Sequence, residues 1–123
     1  MTQEQKDLLL KDLCARLPYD VKVNCNDKVY SFNGIQYFNI CILTDDNENN
    51  AFTTAGIKYV KPYLFPLSSM TEEQNLEYLS TCRGGNSYCP TSKTFDWFDK
   101  NHFDYRGLIP MGLAIDATNK DIY

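Results

Sequence analysis

The start of the chain combines apolar and polar positions at helical spacing. Apolar residues between positions 8 and 17 recur three or four residues apart, and charged residues fill the positions between them. Thr2 followed by Gln5 forms the Thr-x-x-Gln pattern of a capping box, and Pro18 cannot continue a helix. The pattern predicts an amphipathic helix that begins after Thr2 and ends near Arg16.

From Val21 onward the apolar positions follow the period of β-strands. Apolar-rich stretches at 21–25, 29–32 and 35–44 are separated by the turn signals Asn26-Asp27 and Asn33-Gly34. The third stretch is almost continuously apolar, which predicts a strand that is covered on both faces. Shorter stretches at 51–54 and 57–60 complete a predicted antiparallel meander of four or five strands, over about residues 21–60.

The second half of the chain returns to helical patterning after a proline-rich segment. Pro62 and Pro66 predict an extended connector at 61–70 rather than a central strand. A second helix is predicted from the capping signals at Ser69 and Thr71 to about Cys82. A third helix is predicted from 91–94 to about 102, followed by a short strand at 113–117.

These elements predict a single α+β domain over residues 1–123. Its sheet, or open barrel, of four to five strands is flanked by an N-terminal helix and two C-terminal helices. The residues expected to share one hydrophobic core are Leu13, Ile40, Ile42, Leu64, Leu79 and Phe98.

Composition and charge narrow the possible partners. Hydrophobic residues make up 43% of the chain, which is typical of a folded domain. Twelve basic and sixteen acidic residues give a net charge of −4, and no cluster of Lys and Arg is present to bind phosphates. No apolar run approaches the ~20 residues of a membrane-spanning helix, and the polar, acidic N-terminus does not resemble a signal peptide. We therefore expect a cytoplasmic protein without a membrane partner.

Cysteine and histidine are the candidate chemical groups. Cys82 and Cys89 are separated by six residues, and His102 is the single histidine of the chain. Structural zinc sites usually space paired ligands two to four residues apart, so we predict no metal and no cofactor. A cysteine nucleophile would need His102 as its base. The more ordinary interpretation places this histidine near a helix C-terminus, where positive charge is favourable, and we assign no catalytic residue.

Aromatic residues supply the remaining signal, since they account for 14% of the chain. Tyrosine is common at protein interfaces because its ring buries a large area while its hydroxyl finds a partner. Most aromatic side chains are expected to fill the core beneath the helices. The residues predicted to bind a partner are Tyr30, Tyr37, Tyr59, Tyr88 and Trp97, with the loops 45–50 and 83–92 varying the contact.

Three stretches also carry a resemblance: residues 1–19 (Met-Thr-Gln-Glu-Gln-Lys-Asp and onward), 60–74 (Val-Lys-Pro-Tyr-Leu-Phe-Pro and onward) and 102–116 (His-Phe-Asp-Tyr-Arg-Gly-Leu and onward). They resemble segments of small uncharacterised proteins of gut-bacterial phages and prophages. The resemblance covers about half of the chain and implies a cytoplasmic accessory protein encoded by a phage-like element. It implies no activity and no site residue.

Three functional hypotheses follow. The first is a phage- or prophage-derived accessory protein that binds another protein and modulates host or phage machinery. The second is a small enzyme that uses Cys82, Cys89 or His102, which would require these side chains to converge. The third is a small nucleic-acid-binding barrel, against which the net charge argues. The sequence leaves the partner and the oligomeric state open.

Overall fold

A computed structural model of the chain describes residues 1–49, 51–84 and 88–123. The described residues form three α-helices and seven strands. The helices are Gln3–Ala15 (α1), Glu72–Thr81 (α2) and Ser92–Lys100 (α3). The strands are Lys22–Cys25 (β1), Lys28–Gln36 (β2), Ile40–Asp45 (β3), Ala51–Gly56 (β4), Lys61–Pro66 (β5), Phe103–Asp104 (β6) and Ile115–Asp116 (β7).

Capping boxes start α1 and α2 where the sequence predicts them. The Thr2 hydroxyl accepts a hydrogen bond from the backbone N–H of Gln5, and the Gln5 side chain accepts one from the N–H of Thr2. Thr71 and Gln74 form the same reciprocal pair at α2, so Thr71 rather than Ser69 is its cap. Each box satisfies backbone donors that a helix end leaves unpaired. The predicted helices are therefore confirmed.

The sheet is larger than predicted. Its strand order is β4-β3-β2-β1-β5-β6, with β7 also paired to β5. The pairs from β4 to β5 are antiparallel, whereas β5 pairs in parallel with both β6 and β7. The α+β class is confirmed. The expectation of four to five strands is wrong, because the C-terminal third of the described chain adds strands to an open, mixed sheet.

The segment predicted as a connector is the strand β5. Phe32 donates its N–H to the carbonyl of Val21, so by the alternation of an antiparallel ladder Val23 bonds to β2 and Asn24 bonds to β5. Pro62 lies opposite Val23 in a pair that exchanges no hydrogen bond with β1. The absent N–H of this proline therefore breaks no bond to β1, and a proline is tolerated inside the sheet.

The predicted turn at Asn33-Gly34 is a β-bulge instead. The register shifts between Phe32 and Gly34, which adds one residue to β2 relative to β3. Phe32 and Ile35 are an odd number of residues apart, so a regular strand would point them to opposite faces. The bulge places Phe32 opposite Leu43 and Ile35 opposite Cys41, on one face. The strand predicted at 57–60 is likewise wrong, since Ile57–Tyr59 is a 3₁₀ turn.

The hydrophobic core lies between one face of the sheet, α1 and the segment that contains Leu108 and Leu113. Fully buried side chains from these three parts include Leu13, Leu43 and Leu108. The core prediction is confirmed for Leu13 and Leu64, whereas Phe98 is buried in a separate cluster with Tyr78, Phe103 and Tyr105. It is wrong for Ile40, Ile42 and Leu79, which are only partly buried. The two isoleucines alternate with Cys41 and Leu43 along β3, so they point to the other face of the sheet.

Candidate functional site

Two aromatic residues form the tip of the hairpin between β2 and β3. Tyr37 and Phe38 have φ angles of 54° and 65°, and Asn39 donates its N–H to the carbonyl of Gln36 across them. Positive φ at both central positions is typical of a type I′ turn, which normally carries Asn-Gly. For residues with large side chains this backbone costs about 1–3 kcal/mol each. The turn therefore keeps two residues that its own geometry disfavours.

Both of these side chains project into solvent. Tyr37 is 78% exposed and Phe38 is 85% exposed. Together with Leu10 and Cys14 of α1 and Ile35 of β2, they line a groove with a volume of about 420 Å³. The groove lies between the hairpin tip and α1. It is mainly apolar, because the two α1 residues that line it, Leu10 and Cys14, are uncharged.

Tyr59 lies at the same end of the sheet. Ile57 donates its N–H to the carbonyl of Asn39 at 2.9 Å, which fixes the 3₁₀ turn beside the hairpin tip. Tyr59 is 60% exposed, and the Lys58 ammonium is 5.0 Å from the centre of its ring. We call this set the hairpin-end surface, consisting of Tyr37, Phe38, Tyr59 and the groove residues Leu10, Cys14 and Ile35.

The other three predicted binding residues lie elsewhere. Tyr30 is partly buried against the core, with the Lys28 ammonium 5.6 Å from its ring centre. Trp97 is partly buried in α3, where its ring stacks on Phe103 at 5.5 Å. Tyr88 is 56% exposed in the loop between α2 and α3. Of the five predicted residues, only Tyr37 and Tyr59 therefore lie at the same end of the sheet, where Phe38 also lies.

The predicted loop contacts fall partly outside the described residues, which exclude Asn50 and residues 85–87. In the loop at 45–49, the Lys28 ammonium forms ion pairs with Asp45 and Glu48, and hydrogen bonding to Asp45 raises the pKa of this lysine. In the loop after α2, Arg83 and Cys89 exchange backbone hydrogen bonds of 2.8 and 3.1 Å. This described part of the second loop is closed by backbone pairing.

The candidate catalytic groups are held by different neighbours. Cys82 ends α2, where its thiol donates to the carbonyl of Tyr78 at 3.5 Å, and Cys89 is exposed. The His102 ring stacks on Tyr123, with 3.8 Å between the ring centres. Within the described ranges, no group of three or more His, Cys, Asp or Glu side chains is placed to hold a metal ion. None of the contacts described above joins a cysteine thiol to the His102 imidazole.

The side chain of His102 is partly buried. Its backbone is left-handed, with φ of 62°, and its Nδ1 is buried without a hydrogen-bond partner among the described residues. Burial, with a smaller contribution from the positive charge of Arg16, lowers the pKa of His102 to about 4. The ring is therefore neutral at pH 7, and it packs as an uncharged aromatic group on Tyr123.

A buried ion-pair network links α1 to the C-terminal part of the chain. The fully buried Arg16 guanidinium donates to both carboxylate oxygens of Asp12, at 2.9 and 3.1 Å. It also donates to the carbonyls of Phe98 and Phe103, and Arg106 donates to Asp12 at 2.7 Å. The patterning of α1 assigned Asp12 to the polar side, and this is wrong. The i, i+4 spacing of Asp12 and Arg16 is the signal in the sequence that indicates the pair.

Asp99 and Tyr105 complete this network. The Tyr105 hydroxyl donates to Asp99 at 2.8 Å, and the Arg106 guanidinium carbon is 4.4 Å from the Tyr105 ring centre. Burial raises the pKa of Asp99, and burial together with the Asp99 hydrogen bond raises the pKa of Tyr105 to about 12. Each side chain of this set contacts another member or a backbone carbonyl. The arrangement is that of a structural network rather than a site open to a ligand.

Two further observations concern membrane-spanning helices and similarity to known proteins. None of the described helices combines the length and the apolar character needed to cross a bilayer. No protein-family model, no curated protein and no solved structure matches this chain.

Proposed function

We propose that the chain is a protein-binding module that engages its partner through the hairpin-end surface. The observation that carries this proposal is the pair Tyr37 and Phe38, which are 78% and 85% exposed in a turn that strains their backbone. Strained backbone positions concentrate at functional sites, because selection for stability alone would replace them. Asn-Gly at these two positions would relieve the strain.

The partner that fits this surface is a protein with an apolar concavity. Aromatic side chains that project from a hairpin can enter such a cavity, and aromatic anchors often contribute most of the binding energy of an interface. The groove beside Leu10, Cys14 and Ile35 can in turn accept an apolar side chain of the partner. The Lys58 ammonium near Tyr59 supplies a polar rim.

The test separates binding from folding with a variant that is designed to be more stable than the wild type. In Tyr37→Asn/Phe38→Gly, the type I′ turn receives its preferred residues, so the free energy of unfolding should rise by about 1 kcal/mol or more. Proteins captured from a gut-bacterial lysate by the wild-type chain are identified by mass spectrometry, and the leading candidate is purified. Its affinity for the double variant should fall at least tenfold.

The control variants test whether binding is specific to the hairpin-end surface and whether the chain is an enzyme instead. Leu76→Asn removes another exposed apolar side chain, which is 69% exposed on α2, and should leave the affinity unchanged. Cys82→Ser, Cys89→Ser and His102→Asn should also leave it unchanged. Equal affinity of the wild type and the hairpin variant contradicts the proposed surface. If a stably folded Cys82, Cys89 or His102 variant loses the phenotype that the gene confers on its host, this contradicts the binding module and favours the enzyme.

The phage or prophage origin and the cytoplasmic location remain predictions from the sequence. They determine the choice of lysate, since a phage accessory protein meets host and phage proteins in the bacterial cytoplasm.

A further inference from the structure

β4 forms an edge of the sheet and carries none of the usual protection of an edge strand. It pairs with β3 on one side, and no strand of the described chain pairs with its other side. Its sequence, Ala-Phe-Thr-Thr-Ala-Gly, contains no charged residue and no proline. Natural sheets usually block such an edge with charge, proline or a bulge, because free backbone groups recruit another strand. Phe52 on this strand is 74% exposed.

The backbone groups that face outward can be identified from the ladder with β3. Ile57 donates its N–H to the carbonyl of Asn39, which marks a bonded pair in the same register as the β3–β4 pairs. Bonded and non-bonded pairs alternate along an antiparallel ladder, so Thr53 and Ala55 bond to β3. The N–H and C=O groups of Phe52 and Thr54 and the N–H of Gly56 therefore point away from β3, toward the free edge, whereas the Gly56 carbonyl accepts the N–H of Tyr59 in the 3₁₀ turn.

We propose that β4 pairs with β4 of a second copy of this chain, antiparallel and about a two-fold axis that passes between the two Thr54 residues. This register places Phe52 opposite Gly56 of the other copy and Thr54 opposite its own counterpart. Three bonded pairs then form, and in the two outer pairs the Gly56 carbonyl accepts the Phe52 N–H of the other copy in addition to the N–H of its own Tyr59. An isologous contact of this kind closes as a dimer.

Side-chain fit supports this register. Gly56 has no side chain, and the Tyr59 ring lies over it, 3.5 Å from the position that a Cβ would occupy. The Phe52 ring of the second copy therefore meets the Tyr59 ring at this position. The contact buries the exposed aromatic side chain of each β4 strand.

Charge selects the antiparallel orientation. Before β4 the chain carries Asp45, Asp46 and Glu48, which pair with only two lysines, Lys22 and Lys28, and so leave an excess of acid; after β4 comes the exposed Lys58. An antiparallel copy brings the acidic end of one strand to the basic end of the other, at both ends of the contact. A parallel copy would place acid beside acid. An unrelated protein strand would show this complementarity only by coincidence, so a second copy is the occupant that the chain itself specifies.

The mass in solution and the amide exchange test this dimer. Light scattering over a concentration series should give a mass that rises from 14.2 kDa toward twice that value. Hydrogen exchange at the N–H groups of Phe52 and Thr54 should slow as concentration rises. Exchange at Thr53 and Ala55 should stay constant, because these groups already bond to β3.

Two variants and a matched control complete the test. Thr54→Pro removes an outward N–H, and Thr54→Lys places two ammonium groups across the axis; each should weaken dimerisation at least tenfold. Thr118→Lys makes the same change of charge at an exposed position away from β4 and should leave the dimer unchanged. The proposal is overturned by a mass of one chain at every concentration, or by a dimer that both Thr54 variants retain. These outcomes leave the hairpin-end surface unaffected, since its test uses Tyr37 and Phe38.

Discussion

The imidazole of His102 links the stability of the fold to pH. Its pKa is lowered from 6.5 to about 4 by burial, whereas in the unfolded chain it keeps the ordinary value. Between these two values the unfolded chain binds more protons than the folded one. The free energy of unfolding contributed by this residue is therefore fully present above pH 6.5 and is lost as the pH falls toward 4. The slope reaches at most about 1.4 kcal/mol per pH unit.

We expect this dependence to disappear in His102→Asn. Asparagine tolerates the left-handed backbone at this position, where φ is 62°, and it does not titrate. Urea unfolding of both proteins at pH 7, 5.5 and 4.5 measures the difference. The wild type should lose more stability than the variant over this range. Parallel curves would show that the ring is not held neutral in the folded state.

Asp12 is the residue whose replacement should cost most among the acidic residues of α1. In Asp12→Asn the fully buried Arg16 and the nearby Arg106 lose their carboxylate. Removing one partner of a buried ion pair typically destabilises a protein by about 3–5 kcal/mol, because the other charge stays buried and uncompensated.

Asp7→Asn is the matched control for this prediction. Asp7 is exposed on the same helix, and the hydrogen bond that it accepts from the Gln3 side chain is also exposed. Its effect should be within about 0.5 kcal/mol. Chemical denaturation at pH 7 compares the three proteins. A similar, small loss in both variants would mean that the Arg16 network does not stabilise the fold.

Elements that depend on local patterns could be predicted from the sequence, and those that depend on strand partners could not. The capping pairs at Thr2 and Thr71 act within one helical turn, so their sequence signal is complete. Whether Pro62 is compatible with a strand depends on which neighbour its nitrogen faces, and this is set by the β1–β2 register. The two-residue strand β6 is too short for any periodicity to indicate it, whereas β7 falls within the strand predicted at 113–117.

The candidate site was anticipated only in part for the same reason. Tyr37 and Tyr59 were proposed from residue type, and both lie on the hairpin-end surface. The turn was expected at Asn33-Gly34, where the local preference is strongest, whereas the need to keep Phe32 and Ile35 on one face moved it to Tyr37-Phe38. The i, i+4 spacing of Asp12 and Arg16 indicates their pairing but not their burial, because the carbonyl partners of Arg16 are more than eighty residues away.

Strand β3 gives a direct test of which face of the sheet holds the core. Leu43 is fully buried and its neighbour Ile42 is partly exposed on the opposite face. Leu43→Ala should cost about 2–5 kcal/mol, the range for fully buried leucines, and Ile42→Ala should cost clearly less. Thermal and urea unfolding of the two variants provide the comparison. Equal losses would indicate that both faces are covered, as the apolar run at 35–44 predicts.

At the scale of the whole molecule, we predict that the purified protein carries no stoichiometric zinc. The six-residue separation of Cys82 and Cys89 is poor for a structural site, and His102 is engaged with Tyr123. Elemental analysis of protein purified without chelators measures this. About one zinc per chain in the wild type, lost in Cys82→Ser, would contradict the prediction.

The Arg16 network also has a consequence for synthesis on the ribosome. Asp12 and Arg16 leave the exit tunnel early, whereas the carbonyls of Phe98 and Phe103 and the guanidinium of Arg106 are made more than eighty residues later. Until then the first helix has two charged groups that cannot be buried. The nascent chain therefore holds α1 undocked until the residues up to Arg106 have emerged, and the fold closes only then.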